Sequence, residues 1–146
     1  LAPTYFPPSE GYIDGGVFAN SPGMIALGQT LDKPSSEPSP ALETVRMLSI
    51  GTGRSLNHID DPSPDWGEWK WVRPLLQLMF QADMDVADYQ CRQFLGDRYH
   101  RLNLNFPPGT KIPMDDVGSV AEMEAYAQGA EIDAAVTWLE LHWLCD

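Results

Sequence analysis

One acid stands out for where it lies. In GYIDGGVFANSP, residues 11 to 22, Asp14 follows a short β-prone pair, Tyr12 and Ile13, and precedes two consecutive glycines, Gly15 and Gly16. A carboxylate at the carboxyl end of a strand, followed by a glycine turn and a helix, occupies the place where α/β proteins keep their ligands. Glycines beside it leave the backbone able to adopt positive φ and let a substrate approach closely. The same residues admit a conformational reading, because Asp before Gly commonly hydrogen-bonds its own backbone in a turn. Residue types alone leave both readings standing.

The elements that must position this acid can be read from spacing. Pro3, Pro7 and Pro8 make residues 1 to 10 an extended loop. After the glycines, Ser21 suits an N-cap and Pro22 a first turn, and Met24, Leu27, Gly28 and Leu31 recur at helical spacing. KPSSEPSP, 33 to 40, is a surface loop. VRMLSIGTG, 45 to 53, is an apolar run of strand length ending in a glycine turn, as expected of a buried parallel strand. DWGEWKW belongs to the loop that follows.

Leu75, Met79, Ala82, Val86 and Gln90, three or four apart, predict a helical region over 74–95, with an allowed break and Gly96 as its end. From Arg98 to Phe106 the chain alternates, with Leu102, Leu104 and Phe106 on one face and Arg101, Asn103 and Asn105 on the other, as in a half-exposed strand. A last helix is expected from about Ser119 to Leu144. It carries one stripe of Met123, Ala127, Ala130, Ala134, Trp138 and Leu141 and a second of Ile132, Val136, Leu139 and Trp143. No internal repeat is visible.

Bulk composition narrows the function classes. A chain of 146 residues, 43% hydrophobic and 21% charged, is the size and make-up of one folded domain. A net charge of -12 disfavours nucleic acid as a partner and argues against a polybasic lipid patch, but leaves an apolar contact at a membrane surface open. Cys91 and Cys145 are too few for a disulfide framework or a zinc site, so a reducing, cytoplasmic setting fits. Neither a signal peptide nor an apolar run long enough to span a bilayer is present in these residues. The start at Leu1 leads us to expect a fragment.

Three blocks, APTYFPP at 2–8, IDGGVFANSP at 13–22 and LSIGTG at 48–53, in this order and spacing, resemble the C-terminal half of bacterial-type patatin-like phospholipases. RYHRLN at 98–103, followed by a final helix, agrees, and the resemblance extends over essentially all of residues 1–146. It implies an α/β fold: the C-terminal part of a single catalytic domain, a partial three-layer α/β/α sandwich whose other strands lie in an N-terminal half. It also implies that Asp14 is the acid of a Ser-Asp catalytic dyad, with Gly15 and Gly16 shaping its turn. An Asp with an ordinary pKa of about 3.9 is a poor base in water. Partial dehydration raises its basicity, and an oxyanion hole stabilises the developing charge, so a dyad can work without a histidine.

The departures matter as much. The family's nucleophile sits in Gly-x-Ser-x-Gly on a sharp strand-to-helix turn. No such motif occurs here; the nearest stretch, GRSLN at 53–57, lacks the second glycine, and Ser55 reads as a loop residue. The glycine-rich oxyanion loop is missing too, and Ser21 stands where family members often have a second Asn. The expected function is hydrolysis of lipid acyl esters, with the serine outside these residues and the segment inactive alone. Alternatives are a non-catalytic interaction module on the same scaffold and acyl transfer by the same dyad. Isolated, the segment is expected to expose a sheet edge that favours association.

Other residues carry blander readings. GTG at 51–53 lacks the third glycine of a dinucleotide fingerprint and the lysine of a P-loop, so it reads as a structural turn. Trp66, Trp69 and Trp71 suit either a lipid-facing surface or loop anchors, and Pro62, Pro64 and Gly67 favour anchoring. Asp83, Asp85 and Asp88 lack the glycine and glutamate of a calcium loop and read as a solvated acidic face. His58, His100 and His142 have no metal-ligand spacing and no assigned role. No cofactor or metal is implied.

Overall fold

The computed structural model of the chain describes residues 10–12, 14–32, 38–55, 68–110, 112, 116–130 and 132–144. These form a mixed α/β arrangement of helices and short parallel strand pairs. The chain divides into two compact units, Leu1–Leu42 with Ile59–Phe94 and Glu43–His58 with Leu95–Asp146.

The first unit contains the Asp14 turn and two helices. Helix α1, Gly23–Leu31, buries Leu27. Its N-cap is Pro22, which offers no side-chain acceptor, and Ser21 makes no capping bond, contrary to the expectation for that residue. Tyr12 forms an isolated β-bridge, while Ile13 lies outside the described residues. Helix α2, Glu68–Leu95, runs unbroken for 28 residues, about 42 Å at 1.5 Å per residue. It therefore takes in Trp69 and Trp71, which the sequence placed in a loop; Trp66 lies outside the described residues.

The covered face of α2 is not the expected one. Ala87, Cys91 and Leu95 are buried and Phe80 and Met84 half-buried, whereas Leu75, Met79, Ala82, Val86 and Gln90 are exposed. Two lines of apolar residues on one helix both satisfy a 3.6-residue period, so periodicity marks candidate faces without saying which is covered. Gly96 ends the helix as expected, at φ +56, the left-handed conformation that suits glycine.

In the second unit, β1, Met47–Ile50, pairs in parallel with β3, Tyr99–Leu102, in register Met47↔Tyr99 to Ile50↔Leu102. Farther along the same two chain stretches, β2, Arg54–Ser55, pairs in parallel with β4, Asn105–Phe106. Parallel pairing, expected of an α/β chain, is thus present in both sheets, each of two strands among the described residues. Ser55 is a strand residue rather than a loop residue. Ile50 is 70% exposed, so β1 is less covered than its apolar sequence suggests.

The stretch 98–106 is divided because its partner turns at Gly51–Gly53. The ladder is carried across by Gly51 N–H to Leu102 C=O and Arg54 N–H to Leu104 C=O, both at 2.8 Å, and the Asn103 carboxamide accepts Gly53 N–H at 2.8 Å. Gly53 stands at φ +98, and a Cβ there would run into the Phe106 ring; one on Gly51 would run into the Asn103 carboxamide. GTG is a turn built for close packing.

The final helical stretch is two helices, α3, Val120–Gln128, and α4, Asp133–His142, interrupted at Gly129. Glycine is a weak helix former, and here it serves as the C-cap, its N–H bonding Ala125 C=O at 3.1 Å. Ala135 and Trp138 of α4 are buried. The Trp138 indole donates to Asp97 C=O at 2.7 Å and stacks between two imidazoles, His100 at 5.7 Å and His142 at 5.3 Å between centroids. Phe106 meets Tyr126 of α3 edge-on at 5.2 Å. Among the described residues no helix is long and apolar enough to cross a membrane.

Candidate functional site

Asp14 sits at the head of a short 3-10 turn, Gly15–Val17, and is solvent-exposed. Its Oδ1 accepts Gly16 N–H at 3.0 Å, and the Gly15 carbonyl accepts the N–H groups of Phe18 and Ala19, each at 2.9 Å. The Asp-Gly pair thus makes the self-bonded turn that its residue types allowed. Only Oδ1 is used in that turn. Oδ2 lies outside that bond.

The two glycines do not use the conformational freedom they provide. Neither adopts positive φ; both follow the 3-10 turn. Gly16 is the more closely surrounded of the two. A Cβ on it would lie 3.2 Å from Asp14 Oδ2 and 3.4 Å from Asp14 Oδ1 and Asn20 Oδ1, a crowding the carboxylate could relieve only by moving. A Cβ on Gly15 would meet nothing within 4 Å. Gly16 thus lies against the acid, and Gly15 borders open space.

Two aromatic side chains near the turn in sequence are exposed. Tyr12 is 77% and Phe18 86% exposed, one on either side of Asp14 in sequence.

One contributor to this site was missed from sequence. Asp83 on α2 accepts the backbone N–H groups of Asn20 at 2.9 Å and Ser21 at 3.4 Å, both through Oδ2. Its neighbours explain why it passed as part of an acidic face. Asp85 accepts from Gln81 at 3.1 Å and Asp88 pairs with Arg92 at 3.0 Å, both four residues away along the helix and legible as such. Asp83 has partners 63 and 62 residues away, which spacing cannot disclose. No group of three or more metal-ligating side chains occurs among the described residues.

The remaining candidates are structural or undescribed. His100 and His142 pack on Trp138, a role no spacing rule identifies, and His58 lies outside the described residues. Cys91 is a buried thiol, and Cys145 lies outside the described residues.

No protein-family model matches the chain. No solved structure matches it either. In an alignment 111 residues long that covers 70% of the chain, it is 32% identical to a cGAMP-activated phospholipase of Pseudomonas aeruginosa (strain BWHPSA011 / Pa011). The matched region is 31% of that protein, so the chain spans less than a third of the length of the curated relative it matches. The likeness supports a phospholipase relationship at that coarse level.

Proposed function

We propose that these residues supply the acid of a Ser-Asp dyad in a patatin-like lipid acyl hydrolase, with Asp14 as base and a serine contributed by residues outside this segment. The observation that carries the reading is the place of Asp14 at the head of a self-bonded glycine turn, with one oxygen outside that bond. The acid is exposed in these residues, so the partial dehydration a base needs is proposed to come from the protein surface that closes on it. The likeness to a phospholipase points the same way.

In the proposed reaction Asp14 Oδ2 takes the serine proton as the hydroxyl oxygen attacks the ester carbonyl, and passes it to the leaving alcohol oxygen as the ester C–O bond breaks and the acyl group stays on serine. The carboxylate is then free for the second half, in which the proton it takes from water is returned to the serine oxygen. Water, losing a proton to the same carboxylate, then releases the fatty acid. Tyr12 and Phe18 suit contact with an acyl chain or with the protein surface that closes the pocket. No Gly-x-Ser-x-Gly occurs in the 146 residues, so the segment is proposed to be inactive alone.

The fold proposed with this reading is a three-layer α/β/α sandwich in which further strands extend the two parallel pairs. Support comes from the pairs themselves, since parallel strands are normally covered on both faces and extended at their edges. The protein is proposed to act in the cytoplasm and to meet its lipid peripherally at a membrane surface.

A fluorophosphonate probe tests the class of chemistry. In the complete natural polypeptide it is expected to label one serine in an Asp14-dependent way. Absence of labelling in a folded protein favours the non-catalytic interaction module.

A further inference from the structure

We propose that Asp83 is a positioning residue for Asp14, a role that rests on reading Asp14 as the acid of the dyad. From Asp14 to Ala19 the turn is held by three internal bonds: Asp14 Oδ1 accepts Gly16 N–H, and Gly15 C=O accepts Phe18 and Ala19 N–H. A segment bonded in this way moves as a unit, so its attachment decides where the carboxylate points.

The attachment is Asp83. Immediately after the self-bonded stretch, Asn20 and Ser21 N–H both point at Asp83 Oδ2, at 2.9 and 3.4 Å. These amides precede α1, whose first backbone bond runs from Ala26 N–H to Pro22 C=O, so they have no acceptor within the helix. Neither Ser21 nor Pro22 supplies a capping side chain. A carboxylate from α2 fills that place, and bonds to a charged acceptor are stronger than neutral ones.

Asn20 carries the constraint to the acid. Its Oδ1 and both oxygens of Asp14 lie within 3.2–3.4 Å of the point a Cβ on Gly16 would occupy, so the two side chains flank the same side of Gly16. Fixing the Asn20 backbone therefore fixes one flank of the space in which the Asp14 carboxylate sits. Displacement of a reacting group by about 1 Å can cost on the order of 100-fold in rate.

Ester hydrolysis by the complete natural polypeptide tests the role through Asp83→Ala, Asp83→Asn and Asp14→Asn. Asp83→Ala is expected to lower kcat by about 10- to 100-fold with KM changed by less than about twofold. Asp83→Asn, whose carboxamide oxygen can accept the same amides, is expected to recover most of that loss, and hydrogen exchange at Asn20, Ser21 and Gly16 to speed up in Asp83→Ala alone. Wild-type kcat in Asp83→Ala, with Asp14→Asn inactive, overturns the positioning role and leaves the dyad intact. Equal losses in both Asp83 variants with a lowered unfolding midpoint also overturn it, as that pattern reports general destabilisation. Wild-type kcat in Asp14→Asn overturns the dyad reading and the positioning role with it.

Discussion

The Oδ2 atom of Asp83 and the amide nitrogen of Asn20 lie 2.9 Å apart, across 63 residues of chain. This bond ties the loop that follows Asp14 to the long helix α2. In the proposed positioning role, the orientation of the Asp14 carboxylate depends on this bond to a residue that no local pattern connects to it.

Gly16 and Gly15 should separate sharply on substitution. Gly16→Ala places a methyl 3.2 Å from Asp14 Oδ2 and is expected to lower kcat for ester hydrolysis by roughly 10-fold or more through displacement of the acid. Gly15→Ala meets nothing within 4 Å and needs no unusual backbone angle, so its unfolding free energy should stay within about 1 kcal/mol of wild type. Kinetics and urea unfolding of the two variants side by side check the contrast.

Gly53 tests the second unit independently of any chemistry. At φ +98 and against the Phe106 ring, Gly53→Ala combines a disfavoured backbone with overpacking and is expected to cost about 2–4 kcal/mol. Asn103→Ala, which removes the acceptor of Gly53 N–H, should cost about 1–2 kcal/mol. Midpoints of urea unfolding at unchanged slope give both values.

Trp138 should reveal how much of its contribution is the indole N–H. Trp138→Phe keeps most of the ring and loses the 2.7 Å bond to Asp97 C=O, for an expected cost of about 1–2 kcal/mol. Trp138→Ala also empties the space between His100 and His142 and should cost about 3–5 kcal/mol. Equal costs for the two would contradict the packing described.

What the sequence disclosed follows from the range of the interactions involved. The Asp14 turn, the glycine end of α2 at Gly96 and the strand at Met47–Ile50 were legible because each depends on a few neighbouring residues. The covered face of α2 was not, since Val86 and Ala87 belong to adjacent lines and only tertiary packing chooses between them. The break at Gly129 was hidden by apolar stripes that continue across it, although the glycine itself was a signal. Gly15 and Gly16 leave positive φ available, but a 3-10 turn forms there without it, and of the two only Gly16 has side-chain atoms close to where a Cβ would lie. At the candidate site the acid was visible and its support was not: Asp83 looks like its neighbours Asp85 and Asp88 until the loop from Asn20 is folded against it.

Comparison of Asp14→Asn with the wild-type protein measures the central claim most directly, using steady-state hydrolysis of a phospholipid ester by the complete polypeptide. Loss of a general base predicts a fall in kcat of about 100-fold or more, with an unfolding midpoint close to that of wild type. Turnover within about twofold of wild type would contradict the account, because the carboxylate at position 14 would then be a turn residue and nothing more.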